Sequence, residues 1–211
     1  MTNTAKRILT SIVLTAIIVG IAVLERLGYH ATRWAAVIVA LGMIVEMVLA
    51  IRRAKPGTKS GVLFVFLAWL FVVLGAAYFV GIRQWIVLLL LMIICAADIG
   101  AWFFGNLLGG DKMWERVSPN KTWSGQIAGV ICGTAASILY GLLGTDTFLP
   151  QLLWIGISVS LLSQYGDLTT SWIKRHLKLK DFGNIIPGHG GFLDRFDGWI
   201  YALPLIWFIM M

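Results

Sequence analysis

Seven apolar blocks decide what this chain can fold into. They fall at roughly 8–24, 34–51, 61–81, 85–105, 125–143, 151–166 and 198–211. A helix needs about 20 apolar residues, within a range of about 17–25, to cross the hydrocarbon core of a bilayer. The first five blocks meet that length; the sixth and seventh are short and must borrow flanking residues. Across 211 residues, 59% are hydrophobic and only 13% charged, which excludes both a water-soluble globule and a disordered chain. The pattern predicts an all-α, polytopic integral membrane protein of about seven transmembrane helices, a single membrane-embedded domain over 1–211. The first block is expected to be a retained span, because Glu25-Arg26 follows it rather than a small-residue cleavage site. Cys95 and Cys132 lie in apolar blocks and imply no disulfide framework.

The formal charge of +7 would suggest nucleic acid in a soluble protein, but in a membrane protein its placement matters more. With the N-terminus inside, the inner segments hold Lys6 and Arg7; Arg52, Arg53, Lys55 and Lys59; Lys112, Arg116 and Lys121; and Lys174, Arg175, Lys178, Lys180 and Arg195. The outer segments hold only Arg26, Arg33 and Arg83. Positive charge retains loops in the cytoplasm, so this asymmetry supports both seven spans and a cytoplasmic N-terminus in the cell's inner, plasma membrane. Trp34, Trp85 and Trp154 fall at the expected outer boundary, where indole rings anchor. The chemistry-bearing connections, 106–124 and 167–197, are then both cytoplasmic, and the active site is expected at that boundary.

Four of the ten acids, Asp167, Asp181, Asp194 and Asp197, lie between Ser163 and Gly198. If the sixth helix continues past Asp167, then Ser171, Lys174 and Arg175 follow at i+4, i+7 and i+8 on the same face. Asp194 and Asp197 are expected at i and i+3 at the start of the seventh helix. Three carboxylates at two helix ends suit a hard divalent cation such as Mg²⁺, while no Cys/His cluster offers a zinc site. Between them, Gly188, Gly190 and Gly191 flank His189; glycines let a backbone approach phosphate closely. Lys174, Arg175, Lys180 and Arg195 add cations, and the set is what a nucleoside triphosphate site requires. Each feature has an ordinary alternative: a topology signal, a turn, a helix cap. Three acids at membrane boundaries within one 31-residue stretch are not explained that way.

The stretch closely resembles the signature of the phosphatidate cytidylyltransferase (CDP-diacylglycerol synthase) family. It is met by Ser171, Lys174-Arg175, Lys180-Asp181, Gly183, Ile186, His189-Gly190-Gly191 and Asp194-Arg195-Phe196-Asp197, preceded by Gly166-Asp167-Leu168. A second block of the family matches Asp98, Ala101, Phe103, Gly105, Ser118-Pro119, Lys121 and Thr122. The blocks occupy about 98–125 and 163–198. Thr170 stands where the family often has glutamate, Asn120 where it often has lysine, and Trp102 where tyrosine is common.

The resemblance implies transfer from CTP to phosphatidate, giving CDP-diacylglycerol and pyrophosphate for phospholipid synthesis, with Mg²⁺ and room for a second cation. It also implies a homodimer in the lipid bilayer and no nucleic-acid partner. Asp167 and Asp194 are expected as metal ligands, with Asp197 third and Asp98 fourth. Lys121, Lys174, Arg175, Lys180 and Arg195 are expected on the phosphate side; Ser118, Ser171, His189, Gly190 and Gly191 are expected to contact substrate. Glu46, midway along the second block, is left without a role. Two other functions compete: a cytidylyltransferase for another lipid phosphate, such as an archaeal ether lipid, and a transporter. A transporter predicts acids spread through the midplane.

Overall fold

The computed structural model describes residues 3–53, 84–143, 149–183, 185 and 190–210; the expected span at 61–81 lies outside them. The elements are α1 (Asn3–Arg26), α2 (Ala31–Arg53), α3 (Gln84–Leu108), β1 (Lys112–Trp114), β2 (Ser118–Thr122), α4 (Trp123–Leu142), α5 (Leu149–His176), α6 (Leu193–Phe196) and α7 (Trp199–Met210). They sort into two compact units, Met1–Gln84 with Ile173–Phe196, and Trp85–Trp172 with Asp197–Met211.

In the first unit α1 and α2 form a helical hairpin. Gly28, with φ +87°, reverses the chain, while the Gly28 and Tyr29 amides donate to the Glu25 and Leu24 carbonyls. This is a Schellman closure, which satisfies the last helical carbonyls. The Glu25 carboxylate accepts from the Thr32 amide at 2.7 Å and hydroxyl at 2.8 Å, covering a first-turn donor that α2 cannot satisfy itself. The acid that follows the first apolar block is therefore part of a helix joint. On α2, Met43, Glu46, Met47, Ala50 and Ile51 are buried, the i, i+3, i+4, i+7, i+8 stripe of a helix facing a core. Leu177, Phe182 and Leu193 are buried in the same unit. Ile38, Leu41, Val45 and Leu49 are exposed, so α2 is apolar on both faces.

In the second unit α3 buries Ile86, Leu89, Leu90, Ile93, Ile94 and Ala97, the same periodicity. Gly125, Gly129 and Gly133 stand at i, i+4 and i+8 on α4; a Cβ on each would meet the Ala101, Ala97 and Ile93 carbonyls at 2.7, 2.8 and 3.1 Å. Small residues at this spacing let two helix backbones touch, which is how helices associate without a hydrophobic driving force. Thr122 caps α4, its side chain accepting from the Gly125 amide at 3.2 Å. The 106–124 connection adds an antiparallel ribbon to the helices of the described residues, with Lys112 opposite Thr122 and Trp114 opposite Ser118.

Three described helices are long and apolar enough to cross a membrane: Ala31–Arg53, Trp85–Leu108 and Trp123–Leu142. Trp34, Trp85 and Trp154 are all exposed, as anchors at an interface would be. α5 runs unbroken for 28 residues, well past the 151–166 expected for the sixth span. The expected start of the seventh helix needs correction. Asp194 lies on the four-residue α6, and Asp197 lies in the turn before the twelve-residue α7, so the two do not share a helix. The break is pinned by close packing within the second unit. A Cβ on Gly166 would collide with the Asp197 carbonyl, and one on Gly198 would stand 3.3 Å from the Ser163 Cβ.

Candidate active site

The second unit holds a partly open cavity of about 290 Å³ whose lining includes Asp98, Asn106, Lys121, Gln126, Gln164 and Asp167. α3 carries Asp98 and Asn106, the ribbon carries Lys121, and α4 and α5 carry the rest. Lys121 Nζ lies 2.6 Å from Asp167 Oδ2. Ser171 donates to Asp167 Oδ1 at 3.4 Å, so α5 does continue and the i+4 alignment holds. The ribbon is shaped to deliver Lys121: the Trp123 amide donates to the Asp111 carbonyl at 3.1 Å and the Ser124 hydroxyl to the Gly109 carbonyl. Ser118 pairs with Trp114 at the other end of β2 and is not among the cavity's lining residues. Asn120 and Trp102, two of the departures from the family pattern, do line it.

The third departure, Thr170, is buried. Its hydroxyl donates to the Asp167 carbonyl at 3.0 Å and lies 3.3 Å from Asp197 Oδ2. Asp197 Oδ1 accepts from the Gly198 amide at 2.9 Å. A hydroxyl thus steadies Asp197 one helical turn from Asp167.

In the first unit the last turn of α5 carries Lys174, Arg175 and His176, cations that suit the negative end of a helix. Lys174 Nζ pairs with Asp194 Oδ1 at 3.0 Å and sits 5.6 Å from the centre of the Phe182 ring. Asp194 Oδ2 accepts from the Phe182 amide at 3.1 Å and the Gly191 amide at 3.2 Å. Gly190 has φ +91°, a conformation that glycine adopts freely. Arg175, Lys180 and Arg195 are exposed. His189 lies outside the described residues.

Around the cavity the donors are carboxylate and amide oxygens, a set that fits Mg²⁺ held by one or two carboxylates with the remaining positions left for phosphate and water. Among the described residues no group of three or more His, Cys, Asp or Glu forms a ready-made metal cage. Sequence reasoning passed over Gln126 and Gln164, polar residues inside apolar blocks that reach this lining, and noted Glu46 without giving it a role; Glu46 is fully buried in the first unit. The signal was present in each case, since polar side chains at membrane depth are retained for a reason.

Residues 83–211 match the profile of the cytidylyltransferase family. The chain is 41% identical over 141 residues to the phosphatidate cytidylyltransferase of Staphylococcus haemolyticus, covering 64% of this chain and 54% of that protein. It is 36% identical over 157 residues to the phosphatidate cytidylyltransferase of Bacillus subtilis, covering 70% and 57%. The chain spans about half the length of these two relatives. The phosphatidate cytidylyltransferase of Rickettsia bellii is 32% identical over 227 residues, covering 98% of this chain and 90% of the relative. With the profile over more than half the chain and a relative matched along nearly its whole length, this protein belongs to the cytidylyltransferase family.

Proposed function

We propose that this protein joins CTP and phosphatidate to give CDP-diacylglycerol and pyrophosphate. The observation that carries the reading is the cavity in which Asp98, Lys121 and Asp167 meet, built from the two blocks that match the family signature. An oxygen of the phosphatidate phosphate attacks the α-phosphorus of CTP, and the bond to the β-phosphate oxygen breaks. The attacking monoester is already ionised near pH 7, its second pKa being about 6, so no strong general base is needed. The difficulty is to bring two polyanions together and stabilise the departing pyrophosphate, which cations do by position and charge.

Asp98 and Asp167 are the residues that would hold Mg²⁺, which would supply charge neutralisation for the phosphates. Lys121 is placed to exchange Asp167 for a phosphate oxygen when nucleotide enters. Lys174, Arg175, Lys180 and Arg195 supply further positive charge from the signature segment. The protein acts in the plasma membrane, as a homodimer, with this chemistry on the cytoplasmic side.

The test is purified protein given a panel of nucleoside triphosphates and lipid phosphates, read by pyrophosphate release and product mass. CTP with phosphatidate is expected to give the main product, CDP-diacylglycerol. Lys121→Ala is expected to lower kcat/KM about 10–100-fold, the value of a charge-assisted hydrogen bond of about 1.5–3 kcal/mol. A preference for an ether-lipid phosphate would move the assignment to the other lipid; no pyrophosphate with any pair would overturn it.

A further inference from the structure

Glu46 has no part in the reaction as described, yet it is fully buried on the core stripe of α2. Its Oε2 accepts from the Leu193 amide at 3.0 Å, 147 residues away in sequence. Its Oε1 has no hydrogen-bond partner among the described residues. Two glycines of the signature segment close on the same carboxylate. A Cβ on Gly183 would lie 2.6 Å from Oε1, and one on Gly191 would lie 2.6 Å from the carboxyl carbon. Neither glycine has a positive φ, so space around Glu46, not backbone conformation, requires glycine at both positions. Asp194 binds the same segment through the Phe182 and Gly191 amides. Two carboxylates, from α2 and α6, therefore clamp both ends of 182–193. A carboxylate buried in an apolar helix is costly and is retained where it serves a site.

We propose that Glu46 is a positioning residue for the glycine-rich signature segment, setting where its Gly190-Gly191 backbone and Lys174 stand relative to incoming nucleotide phosphate. The claim that phosphate binds there rests on the function proposed above; the clamp itself does not.

The experiment compares Glu46→Ala, Glu46→Asp and Glu46→Gln in the full chain, reading KM for CTP, kcat, and hydrogen exchange at residues 182–194. Glu46→Ala leaves the Leu193 amide unpaired and opens a gap, so KM for CTP is expected to rise about 10–100-fold, with faster exchange at Gly191 and Leu193. Glu46→Asp withdraws the carboxylate by one methylene and is expected to show the same changes in smaller measure, which covers the case that the alanine variant does not accumulate. Glu46→Gln keeps both the shape and an acceptor for Leu193 and is expected within about threefold of wild type. Gly191→Ala is expected to be impaired and partly rescued by Glu46→Ala, which makes room for the new methyl. Glu25→Ala is the control for stability alone: it removes the α1 carboxylate that binds the Thr32 amide at the far end of α2, Thr32 standing about 21 Å along the helix from Glu46 at about 1.5 Å per residue. Wild-type KM and exchange in both Glu46→Ala and Glu46→Asp would overturn the proposal, as would losses no different from those of Glu25→Ala. If the wild-type chain makes no cytidine product, the proposed function fails while the exchange data still decide the clamp.

Discussion

Among the described residues, every partner of the Asp194 carboxylate is a donor: Lys174 on one oxygen, the Phe182 and Gly191 amides on the other. An asparagine there must turn its NH₂ toward at least one of those donors. Asp194→Asn is therefore expected to lose stability as well as activity. Breaking a buried pair and leaving the other charge uncompensated costs about 3–5 kcal/mol, and Lys174 and Asp194 are 12% and 7% exposed. Thermal unfolding in detergent measures the first effect and turnover the second. An unchanged unfolding midpoint with activity lost would instead mark Asp194 as a metal ligand and nothing more. From sequence, Asp194 and Lys174 were visible as members of one polar cluster, but their pairing was not, because the chain between them, a separation of 20 residues, must first fold back.

At the scale of elements, two helix ends close by the same motif with different residues. α1 ends on Gly28. α5 ends with the Lys178 amide donating to the Arg175 carbonyl at 3.0 Å and the Leu179 amide to the Lys174 carbonyl at 2.8 Å. Lys178 itself sits at φ +58°, where a side chain costs about 1–2 kcal/mol that glycine avoids. Glycine loses about 0.5–1 kcal/mol more backbone entropy on folding, so Lys178→Gly is expected to stabilise the fold by about 0.5–1 kcal/mol. A raised unfolding midpoint at unaltered turnover checks it; a lowered midpoint would show that the lysine side chain contributes more than its backbone costs. The sequence placed a helix through Lys174 and Arg175, but nothing local to Lys178 announced a left-handed residue, since lysine seldom adopts one.

At the scale of the whole molecule, charge asymmetry predicts that the N-terminus and the signature segment share one side of the membrane. In a background lacking Cys95 and Cys132, a cysteine introduced within 176–180 is expected to label only from the cytoplasmic side, and one within 145–149 only from outside. Labelling of 176–180 from outside would separate the site from cytoplasmic nucleotide and overturn the functional reading. The three helices long and apolar enough to span coincide with blocks readable by hydropathy, since apolar length is a property of consecutive residues.

What the sequence by itself determined is the membrane class, the helical blocks and the residues of the signature, because these depend on hydrophobicity, period and spacing along one chain. Tertiary structure alone decided who meets whom. It closed Lys121 on Asp167, split Asp194 from the helix that follows Asp197, and brought Glu46 against Gly183, Gly191 and Leu193. Each of these is a contact across a fold, where the energy of a buried hydrogen bond or of two backbones touching depends on segments far apart in sequence, and no local pattern records it.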